Sequence, residues 1–310
     1  MGKTTRIAAI GPRPLELSQD TDPKAIVDIM IKHWQDRFAQ VLPDRPDLIV
    51  VPEACDRPGG FSIEKRLAYY DVRGRQVRDF FASVAKSQRC NIIYSGARRL
   101  DDGTWRNSSE ILGRDGKTVG MYNKNHIMVE ETTLGGILAG SDMPVFECDF
   151  GRTSCAICFD LNFEEARNKT AAGNPQLIAF SSMYHGGLAQ QIWAYFCRSY
   201  FIGAIAGPPS QIRNPFGEVI ASSTNYNDFV TAEINLDYCL AHLDYNHEKF
   251  TAMKAAYGPE VDIYDPGFIG SVLITSKHPE KSALEMIQEF EIELLEDYMD
   301  RALAHRRENM

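Results

Sequence analysis

Short apolar runs alternate along the chain with longer stretches whose apolar residues recur at helical spacing. The runs predict strands at residues 6–11, 48–53, 91–97, 108–112, 118–123, 144–149, 154–158, 177–181, 202–207, 211–214, 219–223 and 229–235. The periodic stretches predict helices at 23–42, 65–88, 163–172, 189–201 and 279–306. Asp22-Pro23 supplies an N-cap and a first-turn proline for the first of these, and Ile26, Ile29, Trp34 and Phe38 mark its apolar face. Arg114-Asp-Gly-Lys117 and Asn214-Pro-Phe-Gly217 are turn sequences between strands, which adds two hairpins. Strands alternating with helices, with hairpins added, predict mixed sheets in an α/β layer architecture.

Composition narrows the classes. The chain has 310 residues, 44% of them hydrophobic, enough for one large core, so residues 1–310 are expected to form a single domain. Residues 240–281 are rich in Tyr, His, Pro and Gly and show no period; they predict an extended arm leading to the last helix. That arm and helix, about 240–310, are also the expected subunit contact. A net charge of −9 argues against a nucleic-acid partner, and no apolar stretch reaches membrane-spanning length. The first residues carry no hydrophobic leader region, and Gly2-Lys3-Thr4 resembles only the end of a phosphate loop. Seven cysteines at irregular spacing predict free thiols and a cytoplasmic location.

Three polar residues interrupt this apolar pattern where strands end. Cys158 closes the run at 154–158 and is followed by Asp160-Leu-Asn162, which is helix-cap chemistry. Buried structural cysteines are common, but open α/β sheets place their chemistry at strand ends, and a thiol near a helix N-terminus is expected to have a lowered pKa. Glu53 ends a wholly apolar strand, where a carboxylate is costly unless paired or needed, and Lys124 follows the strand at 118–123 by the same logic. Glu53 could instead be an exposed loop residue, but the three together are more specific than any one of them. Cys155 and Cys158 form a C-x-x-C, yet residues three apart on a strand face opposite sides, which disfavours a redox pair. Scattered histidines and the absence of a metal-ligand spacing predict no metal and no cofactor.

These segments resemble the nitrilase superfamily of carbon–nitrogen hydrolases, whose catalytic set is Glu-Lys-Cys. The resemblance lies in Val51-Pro-Glu53-Ala, Tyr122-Asn-Lys124-Asn-His126 and Cys158-Phe-Asp160-Leu-Asn-Phe163-Glu-Glu165, with support from Gly140-Ser-Asp-Met-Pro-Val-Phe146 and Asn214-Pro-Phe-Gly217. It implies a four-layer α-β-β-α sandwich, a homodimer or higher homo-oligomer, and a second glutamate near the lysine, for which Glu131 fits best and Glu130 is the neighbour. It implies further that Cys158 attacks a small amide or N-carbamoyl substrate to form a thioester, with Glu53 as base and with Lys124 and the Phe159 backbone N–H as oxyanion donors. Tyr184 and His185, in a loop after the strand at 177–181, are expected to contact substrate. The sequence reads Cys-Phe-Asp where nitrilases read Cys-Trp-Glu, so an amide is favoured over a nitrile. A nitrilase, or a member of the fold that only binds or assembles, are the alternatives. Amino-acid carbamoylases carry an arginine three or four residues after the cysteine to hold a carboxylate. Leu161 and Asn162 stand there, which disfavours an anionic N-carbamoyl amino acid unless an arginine arrives from elsewhere.

Overall fold

The structure, a computed structural model, describes residues 4–310; the Gly2-Lys3 part of the phosphate-loop resemblance lies outside them. Two six-stranded sheets carry the fold. The first is built from β1 (Thr4–Ile10), β2 (Leu48–Val50), β3 (Asn91–Arg99), β4 (Trp105–Leu112) and β5 (Thr118–Asn123). The second contains β6 (Val145–Cys148), β7 (Gly151–Ile157), β8 (Leu177–Ser182), β9 (Tyr200–Ile205), β10 (Gln211–Arg213) and β11 (Val219–Ser222). A twelfth strand, β12 (Phe229–Asn235), returns to the first sheet, whose order is β12-β1-β2-β3-β4-β5; the second runs β11-β10-β9-β8-β7-β6. β1, β2 and β3 pair in parallel, as do β7, β8 and β9, and the hairpins β3-β4-β5 and β9-β10-β11 are antiparallel. The parallel strands are buried on both faces, which is why β2 and the first four residues of β8 read as unbroken apolar runs.

The sheets face each other, β2 against β8 and β9 and β4 against β7, and Ser181 Oγ donates across the interface to the carbonyl of Val51 at 2.8 Å. Helices α1 (Pro23–Val41), α2 (Ile63–Arg73) and α3 (Gln76–Gln88) flank the first sheet. After the short α4 (Val129–Thr133), helices α5 (Glu164–Ala172) and α6 (Leu188–Cys197) accompany the second. The result is the four-layer α-β-β-α sandwich. Its first helix forms as expected: Asp22 accepts from the N–H groups of Lys24 and Ala25, and Ile26, Met30, Trp34 and Phe38 are buried. Each such side chain contributes about 1.5–3 kcal/mol relative to exposure. The single helix expected at 65–88 is two, because Gly74 takes a positive φ of 49° and ends α2.

The chain divides into two compact units, one of Arg6–Ala232, which holds most of the sandwich, and one that joins the described N-terminal residues Thr4 and Thr5 to Glu233–Met310. The stretch without a period is more ordered than an arm. It forms β13 (Tyr238–His242), α7 (His247–Tyr257), β14 (Val261–Tyr264) and β15 (Ser271–Ser276), with the strands in a separate antiparallel sheet ordered β13-β15-β14. The helix expected at 279–306 is split into α8 (Ala283–Glu289) and α9 (Leu295–Glu308), with Glu291 left-handed between them. Ala241, Met253, Ile274, Met286 and Ile287 form this unit's own core.

Candidate active site

Cys158 begins where β7 stops. Its φ is 46°, a left-handed conformation that is unfavourable for a residue with a β-carbon, and it opens a 3₁₀ turn, Cys158–Asn162. Such a conformation persists only where surrounding contacts over-determine it. Asp160, fully buried, supplies them. Its Oδ2 accepts from the Ile157 N–H at 2.9 Å and from the Tyr122 hydroxyl at 2.6 Å, and its Oδ1 accepts from the His126 N–H at 2.8 Å. The Trp193 indole donates to the Leu161 carbonyl at 3.0 Å, and the His126 ring stacks on Phe163 with centroids 3.8 Å apart. The turn is thus locked from both sheets, and the thiol is turned out of the strand line.

Two strand ends of the first sheet bring charge to that thiol. Glu53 lies three residues beyond β2 and Lys124 directly after β5, and both are almost fully buried. Lys124 Nζ donates to Glu53 Oε1 at 2.9 Å and to Glu131 Oε2 at 2.8 Å. Asn107 Nδ2, on β4, donates to Glu53 at 2.8 Å and to Glu131 at 3.3 Å. Glu53 Oε2 also accepts from the Met183 N–H at 3.3 Å, and the Met128 N–H donates to Glu131 Oε2 at 2.9 Å. Each carboxylate is held on both sides before any ligand arrives.

The Cys158 thiol faces Glu53, Lys124 and Ser182. Burial, and then the negative charge of Glu53, push that thiol up to about 12. This corrects the expectation of a lowered pKa: the helical turn at Cys158 is short, and a buried carboxylate faces the sulfur. Burial opposes the charge on Lys124, but Glu53 and then Glu131 outweigh it and raise the ammonium's pKa. Burial likewise opposes the Glu131 carboxylate, and Lys124 outweighs it and lowers the pKa. At neutral pH the site therefore holds an ammonium, an ionised Glu131 and a protonated thiol.

The remaining expected residues divide. Phe159 sits on the turn with its side chain partly exposed. Tyr184 comes to the site: its N–H donates to Ser182 Oγ at 3.0 Å, and its hydroxyl accepts from Asn162 Nδ2 at 3.1 Å. His185 does not join them. Its Nδ1 accepts from the Gly187 N–H at 3.1 Å, and it lines a hollow with Arg13, Glu16 and Gly207 that excludes Cys158. Asn107, Asp160 and Ser182 take positions the sequence reading did not assign. Asp160 was visible as a cap, but Asn107 and Ser182 are small polar residues at strand ends and carry no signal without their neighbours. Among the described residues no group of three or more His, Cys, Asp or Glu side chains is arranged to hold a metal ion, and no helix is long and apolar enough to cross a membrane.

Comparison with known proteins places this geometry. The carbon-nitrogen hydrolase family model matches residues 6–241. The omega-amidase NIT2 of Danio rerio is 22% identical over 218 residues, 62% of this chain and 77% of that protein. The beta-ureidopropionase of Arabidopsis thaliana is 23% identical over 276 residues, 82% of this chain and 64% of that protein. Among solved structures, the C. elegans NitFhit protein shares the fold with a TM-score of 0.63 at 14% identity, covering 94% of this chain and 98% of that one. A variant of the amidase from Nesterenkonia sp. AN1, with the acetamide moiety of fluoroacetamide covalently added at its active-site cysteine, matches with a TM-score of 0.63 at 17% identity over 80% of this chain and 96% of that one.

Proposed function

The chain belongs to the carbon–nitrogen hydrolase family, and from that premise we propose that it hydrolyses a non-peptide C–N bond in a small amide or N-carbamoyl compound through a thioester on Cys158. The observation that carries this reading is the single buried cluster in which Lys124 joins two carboxylates and the Cys158 thiol faces one of them, Glu53. A thiol pushed up to about 12 is not a standing nucleophile, so it needs a base in contact at the moment of attack.

Glu53 is that base. It takes the Cys158 proton as the sulfur bonds to the carbonyl carbon. Lys124 and the Phe159 backbone N–H stabilise the oxyanion; removing one such donor typically costs about 3–4 kcal/mol. Glu53 returns the proton to the leaving nitrogen, the C–N bond breaks, and ammonia or an amine departs. Water then gives its proton to Glu53 and its oxygen to the thioester carbon, and the C–S bond breaks to release the acid and restore the thiol. Glu131 orients Lys124, and Tyr184 contacts substrate beside the sulfur. The seven cysteines, all free thiols, suit a reducing, cytoplasmic setting. Exposed Leu188 and Phe196 on α6 suit a homo-oligomer, which light scattering tests directly.

The decisive experiment replaces the sulfur. Cys158→Ala is expected to abolish ammonia release across a panel of small amides and ureido compounds while the thermal transition is retained. A slow substrate should leave a mass adduct on the peptide containing Cys158. Undiminished turnover in the variant, or an adduct on Cys55 or Cys155, would overturn the assignment.

A further inference from the structure

A carboxylate that serves as a base must keep one oxygen free for the proton, and each of its oxygens has two acceptor sites. In Glu53 the two oxygens are filled unequally. Oε1 accepts from Lys124 Nζ at 2.9 Å and from Asn107 Nδ2 at 2.8 Å, which takes both of its sites. Oε2 accepts from the Met183 N–H at 3.3 Å, a long bond that leaves its second site open. Met183 directly follows Ser182, which the Cys158 thiol faces, so Oε2 is the oxygen on the sulfur's side of the carboxylate. The donor that completes Oε1 comes from Asn107.

Asn107 is fixed in this role from both ends. Its Nδ2 donates to Glu53 Oε1 at 2.8 Å and to Glu131 Oε1 at 3.3 Å. Carboxylates only accept, so the amide cannot be turned the other way round. Lys124 joins the same two carboxylates through Glu53 Oε1 and Glu131 Oε2, and the four side chains close a ring. The backbone anchors it: Asn107 is buried on β4, and its carbonyl accepts from the Lys124 N–H at 2.8 Å. Asn107 Oδ1 is buried and accepts from no group among the described residues. An unpaired buried acceptor costs stability, and an aliphatic side chain of similar shape would avoid that cost. The donor end is therefore what an asparagine adds here.

We propose that Asn107 is a positioning residue for the proton transfers: by completing Glu53 Oε1 and closing the ring with Glu131 and Lys124, it leaves Glu53 Oε2 as the one atom that exchanges protons with Cys158. This rests on the hydrolase reading and assigns its base to a single oxygen. Oε2 takes the thiol proton as the S–C bond forms and gives it to the nitrogen as the C–N bond breaks. It then takes a proton from water as the new C–O bond forms and returns it to the sulfur as the C–S bond breaks. Asn107 also supports the neighbouring charge. Burial opposes the Glu131 carboxylate, and Lys124, the Met128 N–H and then Asn107 overcome that opposition.

Asn107→Leu keeps the bulk and removes both donors, and Asn107→Thr keeps one hydroxyl donor in a side chain that suits a strand. On an amide that the unsubstituted protein hydrolyses, Asn107→Leu is expected to lower kcat about 10- to 100-fold with little change in KM, because the base loses its aim. The acid limb of its kcat/KM profile should move up by about one pH unit, since an ionised base that has lost a donor takes up its proton more readily. Asn107→Thr should fall between the two and serves as the test if Asn107→Leu does not fold. A loss of turnover with an unmoved acid limb, or undiminished turnover, overturns the proposal. A second measurement needs no turnover. If Asn107 reaches the sulfur through Glu53, Asn107→Leu leaves the Glu53 charge less compensated, and iodoacetamide should alkylate Cys158 at pH 8 about threefold more slowly. In a Glu53→Gln background the same substitution should leave that rate unchanged. Equal slowing in both backgrounds, or none in either, overturns the proposal even where amides are hydrolysed. Slowing that depends on Glu53, in a protein that hydrolyses no amide or ureido compound of the panel, would support the ring and sink the hydrolase reading instead.

Discussion

Two buried ion clusters lie within one compact unit and do different work. In one, Asp56 and Arg73 pair at 2.7 Å, with Tyr94 donating its hydroxyl to the same Asp56 carboxylate and Tyr69 donating to the Asp56 carbonyl at 2.9 Å. Its charges balance one to one, and burial raises the pKa of both tyrosines so that they stay neutral donors. In the other, Lys124 is shared between Glu53 and Glu131, two carboxylates for one ammonium, and a thiol faces the excess charge. A closed cluster fixes the loop that follows Glu53. An unbalanced one keeps a carboxylate able to accept a proton. The stoichiometry of buried charge, more than burial itself, separates the structural cluster from the chemical one.

The sharpest way to break this contrast is to remove one carboxylate from each cluster. Glu53→Gln keeps the shape but not the base, and kcat/KM should fall about 10³- to 10⁴-fold, the upper range for a general base. The urea midpoint should move little, because the amide retains contacts to Asn107 and Lys124. Asp56→Asn should do the reverse. It leaves Arg73 buried without its counter-charge and should cost about 3–5 kcal/mol in urea unfolding. The kcat/KM of the folded fraction should stay within a few-fold. If Asp56→Asn abolished turnover in protein that is fully folded, or Glu53→Gln left turnover intact, the division between the clusters would be wrong.

The sequence exposes one half of this picture better than the other. Glu53, Lys124 and Cys158 stand out because each interrupts an apolar strand pattern at its end, where a polar side chain needs a reason. The strands of the sandwich and α1 are readable because their apolar runs and caps agree with their neighbours. Asp56 and Arg73 are not readable as partners, since they are seventeen residues apart and only the fold of α2 brings them together. The same holds for Asn107, whose role depends on β4 starting at Trp105 rather than at 108. The splits at Gly74 and Glu291 are hidden in the sequence because helical spacing resumes within a few residues of each break, so the period masks the turn. The strands β13 to β15 are short and separated by helix and loop, and their Tyr, His and Ser residues blur the alternation that marks a strand.

The reactivity of the sulfur sharpens the comparison further, with a smaller effect of opposite sign. Burial and then the charge of Glu53 hold the Cys158 thiol up at about 12. In the resting protein its alkylation by iodoacetamide should therefore keep rising with pH beyond 9, with no plateau near the ordinary thiol value of about 8.5. Glu53→Gln deletes the negative charge while Lys124 remains, so the thiol's pKa falls and more thiolate is present at pH 8. A thiolate of lower pKa is also a weaker nucleophile, and with a Brønsted slope of about 0.4–0.5 roughly half the gain in thiolate is lost on a logarithmic scale. The net expectation is an alkylation rate about threefold faster for each unit by which the pKa falls. The same substitution should thus slow turnover by orders of magnitude and modestly speed alkylation of Cys158, read by peptide mass over time. A variant whose alkylation slowed in step with its turnover would mean that Glu53 merely shapes the pocket, because a base that also holds a proton on its nucleophile must affect the two rates in opposite directions.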